Sequence, residues 1–155
     1  MIHKLTFFSL ALVFCVVTVV GCGDGNKLKT YVVKGKITLE GEPLEGAQVI
    51  FTPVQEGGEA RSASGTTGAD GTYTLQTQEG EPGAGTTPGE YKVTVKAYES
   101  VKTGRKVQGD EGYEMVDEVE SVLKSPKRYS NAQTTDLTAT VKAEKENMCD
   151  FDLKK

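Results

Sequence analysis

The stretch from Tyr31 to Glu40, YVVKGKITLE, alternates with a period of two: Tyr31, Val33, Ile37 and Leu39 fall on one side, Lys34, Lys36, Thr38 and Glu40 on the other. Successive side chains of an extended chain point to opposite faces, so the pattern predicts a strand with one face buried. It returns along the chain. Gly41 and Pro43 mark a turn, and after Gly46 the residues Ala47, Val49 and Phe51 share a face. TTGADGTYTLQT holds Asp70-Gly71, a two-residue hairpin signal because both residue types tolerate positive φ, and sends Tyr73 and Leu75 inward. Pro88-Gly89 repeats the device ahead of Tyr91, Val93, Val95 and Ala97. The runs TDLTATVKA and NMCDFDL turn Leu137, Ala139 and Val141, then Cys149, Phe151 and Leu153, inward. Six or seven short strands separated by turns predict an all-β fold, an antiparallel β-sandwich with two sheets sharing a core about 10 Å thick.

Two segments break this rhythm. Gln78 to Gly89 is rich in Gly, Pro and Thr and predicts a mobile loop. Glu99 to Lys127 is charged, and within it Met115, Val119, Val122 and Leu123 fall at i, i+4, i+7 and i+8 with acids between. That spacing predicts an amphipathic helix of about three turns laid over the sandwich or its edge. A β-hairpin arm or a partly ordered insertion is the competing reading.

The amino terminus reads as a targeting segment. After Lys4 the residues from Leu5 to Val20 carry no charge. Such a run spans about 24 Å as a helix, short of a hydrocarbon core of roughly 30 Å, which disfavours a permanent membrane helix. Val19-Val20-Gly21-Cys22 resembles a bacterial lipobox, in which cleavage before the Cys leaves its sulfur to take a diacylglyceryl group. A thiolate is the strong nucleophile among ordinary side chains. Two or three acyl chains such as palmitate hold a protein where one would not, because each buried methylene contributes about 0.8 kcal/mol. The expected organisation is a signal peptide over 1–21, a lipidated tether over 22–29 and one domain over 30–155. The tether reaches about 25 Å at roughly 3.5 Å per residue, so the domain is expected to sit against its membrane. Gly23 rather than Asp after the anchor favours, by analogy with lipoprotein sorting elsewhere, the outer membrane over the inner.

Removing the leader leaves 134 of the 155 residues, the size of one domain, and takes Lys4 away, moving the formal charge from −4 to −5. Net acidity argues against nucleic acid and against adhesion to anionic lipid by charge alone. The single histidine, His3, leaves with the leader, which removes Ser-His and Cys-His nucleophile pairs and histidine zinc sites. With Cys15 in the leader and Cys22 holding lipid, Cys149 is the remaining thiol and no intramolecular disulfide is expected. Its inward parity predicts a small buried hydrophobe rather than a reactive thiol.

YVVKGKITLEGEPLEGAQVIFTP, then GADGTYTL and PGEYKVTV, resembles the carboxypeptidase regulatory-like family, and the ending KSPKRYSNAQTTDLTATVKAEKENMCDFDL resembles the closing strands of small bacterial lipoproteins built on that domain. The resemblance implies a transthyretin-like sandwich of about seven strands. Its motifs are structural: Gly35, Gly46, Asp70-Gly71 and Gly89 for turns or close packing, Tyr73 and Tyr91 for the core. The family name refers to a domain beside peptidases, so no catalytic residue carries over.

Among the remaining candidates, the carboxylates lie on turns and outward strand faces, where solvation explains them better than glycosidase chemistry. GADG and CDFD offer oxygens to calcium but lack the spacing of a dedicated loop, and hairpin chemistry accounts for Asp70. For Tyr129-Ser130-Asn131 the expectation is packing of the ring and an Asx turn. No catalytic residue, cofactor or metal is assigned; Cys22 is the one site residue, for lipid. The function expected is a non-enzymatic, lipid-anchored structural or protein-interaction module of the cell envelope. A glycan- or peptide-binding module using loops such as Gln78 to Gly89 is the alternative, and a carboxylate-based hydrolase the third.

Overall fold

A computed structural model describes residues 28–55, 57–77, 84–108 and 115–155. The leader and Cys22 lie outside the described residues. The strands are β1 (Val32–Leu39), β2 (Glu42–Pro43), β3 (Gln48–Pro53), β4 (Ala63–Thr66), β5 (Thr72–Thr74), β6 (Gln76–Thr77), β7 (Gly89–Lys96), β8 (Tyr98–Gln108), β9 (Met115–Leu123), β10 (Thr138–Val141), β11 (Glu146–Met148) and β12 (Phe151–Leu153). A 3-10 turn, Lys127–Ser130, precedes β10.

In the first sheet β1 is central, with β2 and β5 antiparallel on one side and β11 and β12 parallel on the other. The second sheet runs β10-β7-β3-β4-β6, antiparallel throughout. The all-β expectation therefore holds, but the sandwich is mixed rather than antiparallel. Alternation reports which face a strand buries and is blind to its direction, so the parallel return of the last strands beside the first left no mark in the pattern.

The core follows the predicted parity. Val33 and Ile37 from β1, Val49 and Phe51 from β3, and Tyr91, Val93 and Val95 from β7 are all buried. Phe51 is the bridge between sheets, its ring centroid 6.5 Å from Tyr73, 5.8 Å from Tyr91 and 6.4 Å from Phe151. Gly35 is there for close approach: a Cβ on it would lie 1.8 Å from the Cys149 carbonyl oxygen, in the break between β11 and β12. That carbonyl also accepts the Tyr73 hydroxyl at 2.6 Å.

The turns differ in detail from expectation. The Asp70-Gly71 signal does make a tight connection, with the Gly68 N–H donating to the Thr72 carbonyl at 2.8 Å, but three residues form the loop. Only Gly71 takes positive φ, at 79°. Asp70 serves by its side chain, which accepts the Thr72 N–H at 3.0 Å and its hydroxyl at 2.7 Å. Pro88-Gly89 is not a hairpin turn, because Gly89 already pairs with Val141 as the first residue of β7.

The expected helix is also overturned. Met115, Val119, Val122 and Leu123 lie on β9, which pairs antiparallel with β8 as a separate two-stranded sheet. A helical stripe stabilises only by facing a core, and Met115, Val119 and Val122 are exposed. Three valines in nine residues favour extended backbone, and β8 supplies the ladder.

Candidate interaction surface

The β8–β9 arm grows from a buried root. The Ala97 N–H donates to Ser125 Oγ at 3.2 Å, the Ser125 hydroxyl donates to the Val95 carbonyl at 3.2 Å, and the Lys124 N–H donates to the Ala97 carbonyl at 2.8 Å. Ala97 and Ser125 are 0% and 2% exposed. Just beyond this clasp, Tyr98 is 61% exposed, and every residue of β8 lies on the surface. The root sits at the Lys96 end of β7. The chain enters the sandwich at the other end, where Tyr31 bridges to Thr86 shortly before β7 begins.

Residues opposite each other in an antiparallel pair share a face. One face carries Tyr98 with Leu123, Lys102 with Val119, Lys106 with Asp117 and Gln108 with Met115. The other carries Glu99 with Val122, Val101 with Glu120 and Val107 with Val116. Between them the register shifts, because Thr103, Gly104 and Arg105 oppose Glu118 alone, and Gly104 takes φ of 78° there.

Charge is divided by strand. Asp117 meets Lys102 Nζ at 2.6 Å and Lys106 Nζ at 3.2 Å, and these hydrogen bonds, Lys102 first, hold its carboxyl below the usual range. Glu118 accepts Arg105 Nε at 2.8 Å and the Thr103 hydroxyl at 2.6 Å. These exposed pairs set register more than they stabilise. Between and around them stand Val101, Val107, Val116, Val119, Val122 and Met115, all exposed. An arm with apolar side chains on both faces and unpaired strand edges is suited to contact with another macromolecule.

The residues singled out from the sequence are scattered. Cys149 is half-buried rather than interior, packed against the core, with burial and then the Asp150 charge pushing its thiol up. That shift disfavours the thiolate. Tyr129 is buried, and the Asn131 side chain accepts the Gln133 N–H at 2.8 Å, an Asx turn as expected. Of the segment expected to be mobile, residues 78–83 lie outside the described residues. Gly85, Thr86 and Thr87 are buried, which overturns mobility for that part. The Tyr91 hydroxyl fastens it by donating to the Thr87 carbonyl at 2.7 Å.

Among the described residues no cluster of three or more His, Cys, Asp or Glu is placed to hold a metal. The carboxyls displaced from their ordinary range, Asp70, Asp117, Glu146 and Asp152, are all displaced downward, opposite to what a general acid needs. A shallow depression of about 260 Å³ is lined by Gln48, Ser64, Gly65, Thr66, Thr74 and Gln76. No helix of the described residues is long and apolar enough to cross a membrane.

The hairpin arm stands where the apolar spacing of Met115, Val119, Val122 and Leu123 favours a helix. Its signal was available: a basic run, Lys102 to Lys106, and an acidic one, Asp117 to Glu120, flank a short connection, as two strands held by opposite charge would. Compared with protein-family models, curated proteins and solved structures, the chain matches none of them.

Proposed function

We propose that the chain is a lipid-anchored module of the bacterial cell envelope, in which a transthyretin-like sandwich tethered through Cys22 presents the β8–β9 arm to another protein. The arm carries this reading. Its exposed residues, Tyr98 at 61%, Met115 at 60% and Val119 at 59% among them, have no place in the domain's own core. The transthyretin-like reading is supported by the strand runs: taking β5 with β6 and β11 with β12 as single interrupted strands, and β2 as part of the turn after β1, the sandwich has seven. Anchoring rests on the lipobox-like VVGC, and the arm's root lies at the end of the sandwich away from the chain's entrance.

Cross-linking in intact cells tests this, comparing the native chain with one whose residues 99–122 are replaced by a short Gly-Ser linker. Discrete cross-linked products are expected from the first and lost from the second, with both in the membrane fraction. Identical products from both would remove the arm from the function. A Cys22→Ala chain should lose lipid labelling, and its persistence in membranes after a carbonate wash would count against the anchor.

A second reading, glycan binding, is favoured by the depression over β3, β4 and β6, whose lining offers only neutral amide and hydroxyl groups and glycine. A glycan array with Gln48→Ala and Gln76→Ala controls decides it.

A further inference from the structure

The ladder between β4 and β6 ends early. Ala63 and Ser64 pair with Thr77 and Gln76, but two residues before Gln76 the chain is already in the first sheet, where Thr74 pairs with Lys34. β4 itself runs on to Thr66. Where the chain crosses between sheets lies the depression of about 260 Å³, lined by Gln48, Ser64, Gly65, Thr66, Thr74 and Gln76. Gly65 is needed there, since a Cβ on it would lie 2.5 Å from the Thr74 carbonyl oxygen. The other lining residues all have polar side chains, and among the described residues none of these side chains has a hydrogen-bond partner. Elsewhere in the sandwich the hydroxyls of Thr67, Thr72, Thr86 and Ser125 are all bonded within the fold. We propose that the depression binds the acetamido group of an N-acetylated sugar in a glycan, held between Gln48 and Gln76. This rests on the reading of the depression as a glycan site and names its sugar.

The placement of the two glutamines selects that group. A trans amide points its N–H and its C=O in opposite directions, so it is satisfied only by partners on opposite sides. Gln48 stands opposite Thr66 on the β3 side of β4, and Gln76 opposite Ser64 on the β6 side. Their backbones are two strand spacings, about 10 Å, apart across the sheet. The parity of the register puts all four side chains on one face. A primary amide carries both donor and acceptor, so one glutamine accepts the sugar N–H while the other donates to the sugar carbonyl. The hydroxyls of Ser64, Thr66 and Thr74 remain for the hydroxyls of the ring. A peptide also carries trans amides, but it leaves those hydroxyls without matching groups, and no apolar side chain lines the depression to receive its side chains. No charged residue lines it either, which matches a neutral sugar rather than a uronate or a sulfated one.

The site is small. At about 260 Å³ it falls below the roughly 300–1,000 Å³ of pockets that enclose drug-sized ligands, so it takes one ring and leaves the rest of the glycan outside. An open contact of this kind, with no aromatic side chain in its lining, is weak, with a Kd of about 1 mM. Many copies facing a polymeric glycan raise the apparent affinity without any new contact.

Titration of the full, nitrogen-15-labelled chain in detergent micelles, followed by NMR, tests the proposal with two sugars. Tri-N-acetylchitotriose carries the acetamido group, and cellotriose has the same linkage with a hydroxyl in its place. The first should move the side-chain amide signals of Gln48 and Gln76 with a Kd of about 1 mM, and the second should bind at least about tenfold more weakly, because it leaves both glutamines short of a partner. Gln48→Ala and Gln76→Ala should each weaken binding of the acetylated sugar about fivefold to tenfold. Both residues are exposed and unbonded within the fold, so the rest of the spectrum should stay as it is. The comparison of the two sugars on the native chain needs no variant at all. Equal binding of the two sugars, shifts confined to other residues, shifts from neither sugar, or comparable shifts from trialanine would each overturn the proposal. If cellotriose binds as well and both alanine variants lose it, the depression is a glycan site and only the acetamido assignment falls. If in addition to silence here a glycan array shows no ligand, the glycan reading falls with it.

Discussion

The sandwich and the arm are both β-structure, yet they are held by different physics. In the sandwich, strands are short and the stabilising element is apolar area shared between sheets. Phe51 is fully buried against three other rings from three strands. In the arm the strands are the longest among the described residues, at eleven and nine residues, and little lies beneath them. Its ladder, surface ion pairs and the Ser125 clasp at its base are what remain. An isolated two-stranded hairpin is marginally stable in water, so the arm is expected to open locally far more often than the sandwich unfolds.

That contrast can be broken most directly by truncation on each side. Phe51→Ala should cost about 3–5 kcal/mol in urea unfolding, because the cavity opens between two packed sheets. Val119→Ala in the arm should move global stability by no more than about 0.5 kcal/mol, as surface substitutions do. Comparable losses from the two would mean that the arm folds as part of the sandwich core.

The same contrast explains what could be read from the sequence. Parity identified Val33 and Ile37, Val49 and Phe51, and Tyr91, Val93 and Val95 because a shared core forces alternation on each strand independently. In β9 no core exists to impose a period, and Met115, Val119, Val122 and Leu123 matched a helix by coincidence of spacing. The direction of β11 and β12 beside β1 is a property of topology, which side-chain pattern does not encode. Ser125 and Thr86 were invisible for another reason: a polar residue in a connecting segment looks solvated until the structure buries it with its partners. Cys22, the one site residue the sequence offers, lies outside the described residues.

A smaller effect is expected where the sandwich depends on a hydrogen bond. Tyr91 is buried, and its hydroxyl donates to the carbonyl of Thr87 four residues upstream while lying 3.1 Å from the Thr87 hydroxyl. This is the geometry of a tyrosine corner. Tyr91→Phe keeps the ring and leaves that carbonyl without its donor, which should cost about 1–2 kcal/mol in urea unfolding. A neutral result would mean that the aromatic packing alone holds the segment before β7.

Asp152 of the sandwich, exposed, and Asp117 of the arm, partly exposed, are alike in being lysine-bonded and held below their ordinary range. Asp152 is lowered to about 2, chiefly by Lys154, then by the Thr38 hydroxyl and the Gly41 N–H. Its folded value lies below its unfolded one, so its contribution is present above the unfolded pKa of about 3.9 and is lost as pH falls toward about 2. Because Thr38 lies at the end of the central strand and Gly41 in the turn that follows it, that loss is felt by the sandwich as a whole. Thermal melting between pH 5 and 2 should therefore show a shallower acid decline for Asp152→Asn than for the native chain. Asp117 is lowered by Lys102 and Lys106, both on β8, so its protonation loosens the arm alone. Asp117→Asn should leave the acid limb of global melting as it was while speeding amide exchange near Lys102 and Lys106. If instead Asp117→Asn flattens the acid limb as much as Asp152→Asn does, arm and sandwich melt as one cooperative unit and the distinction between them fails.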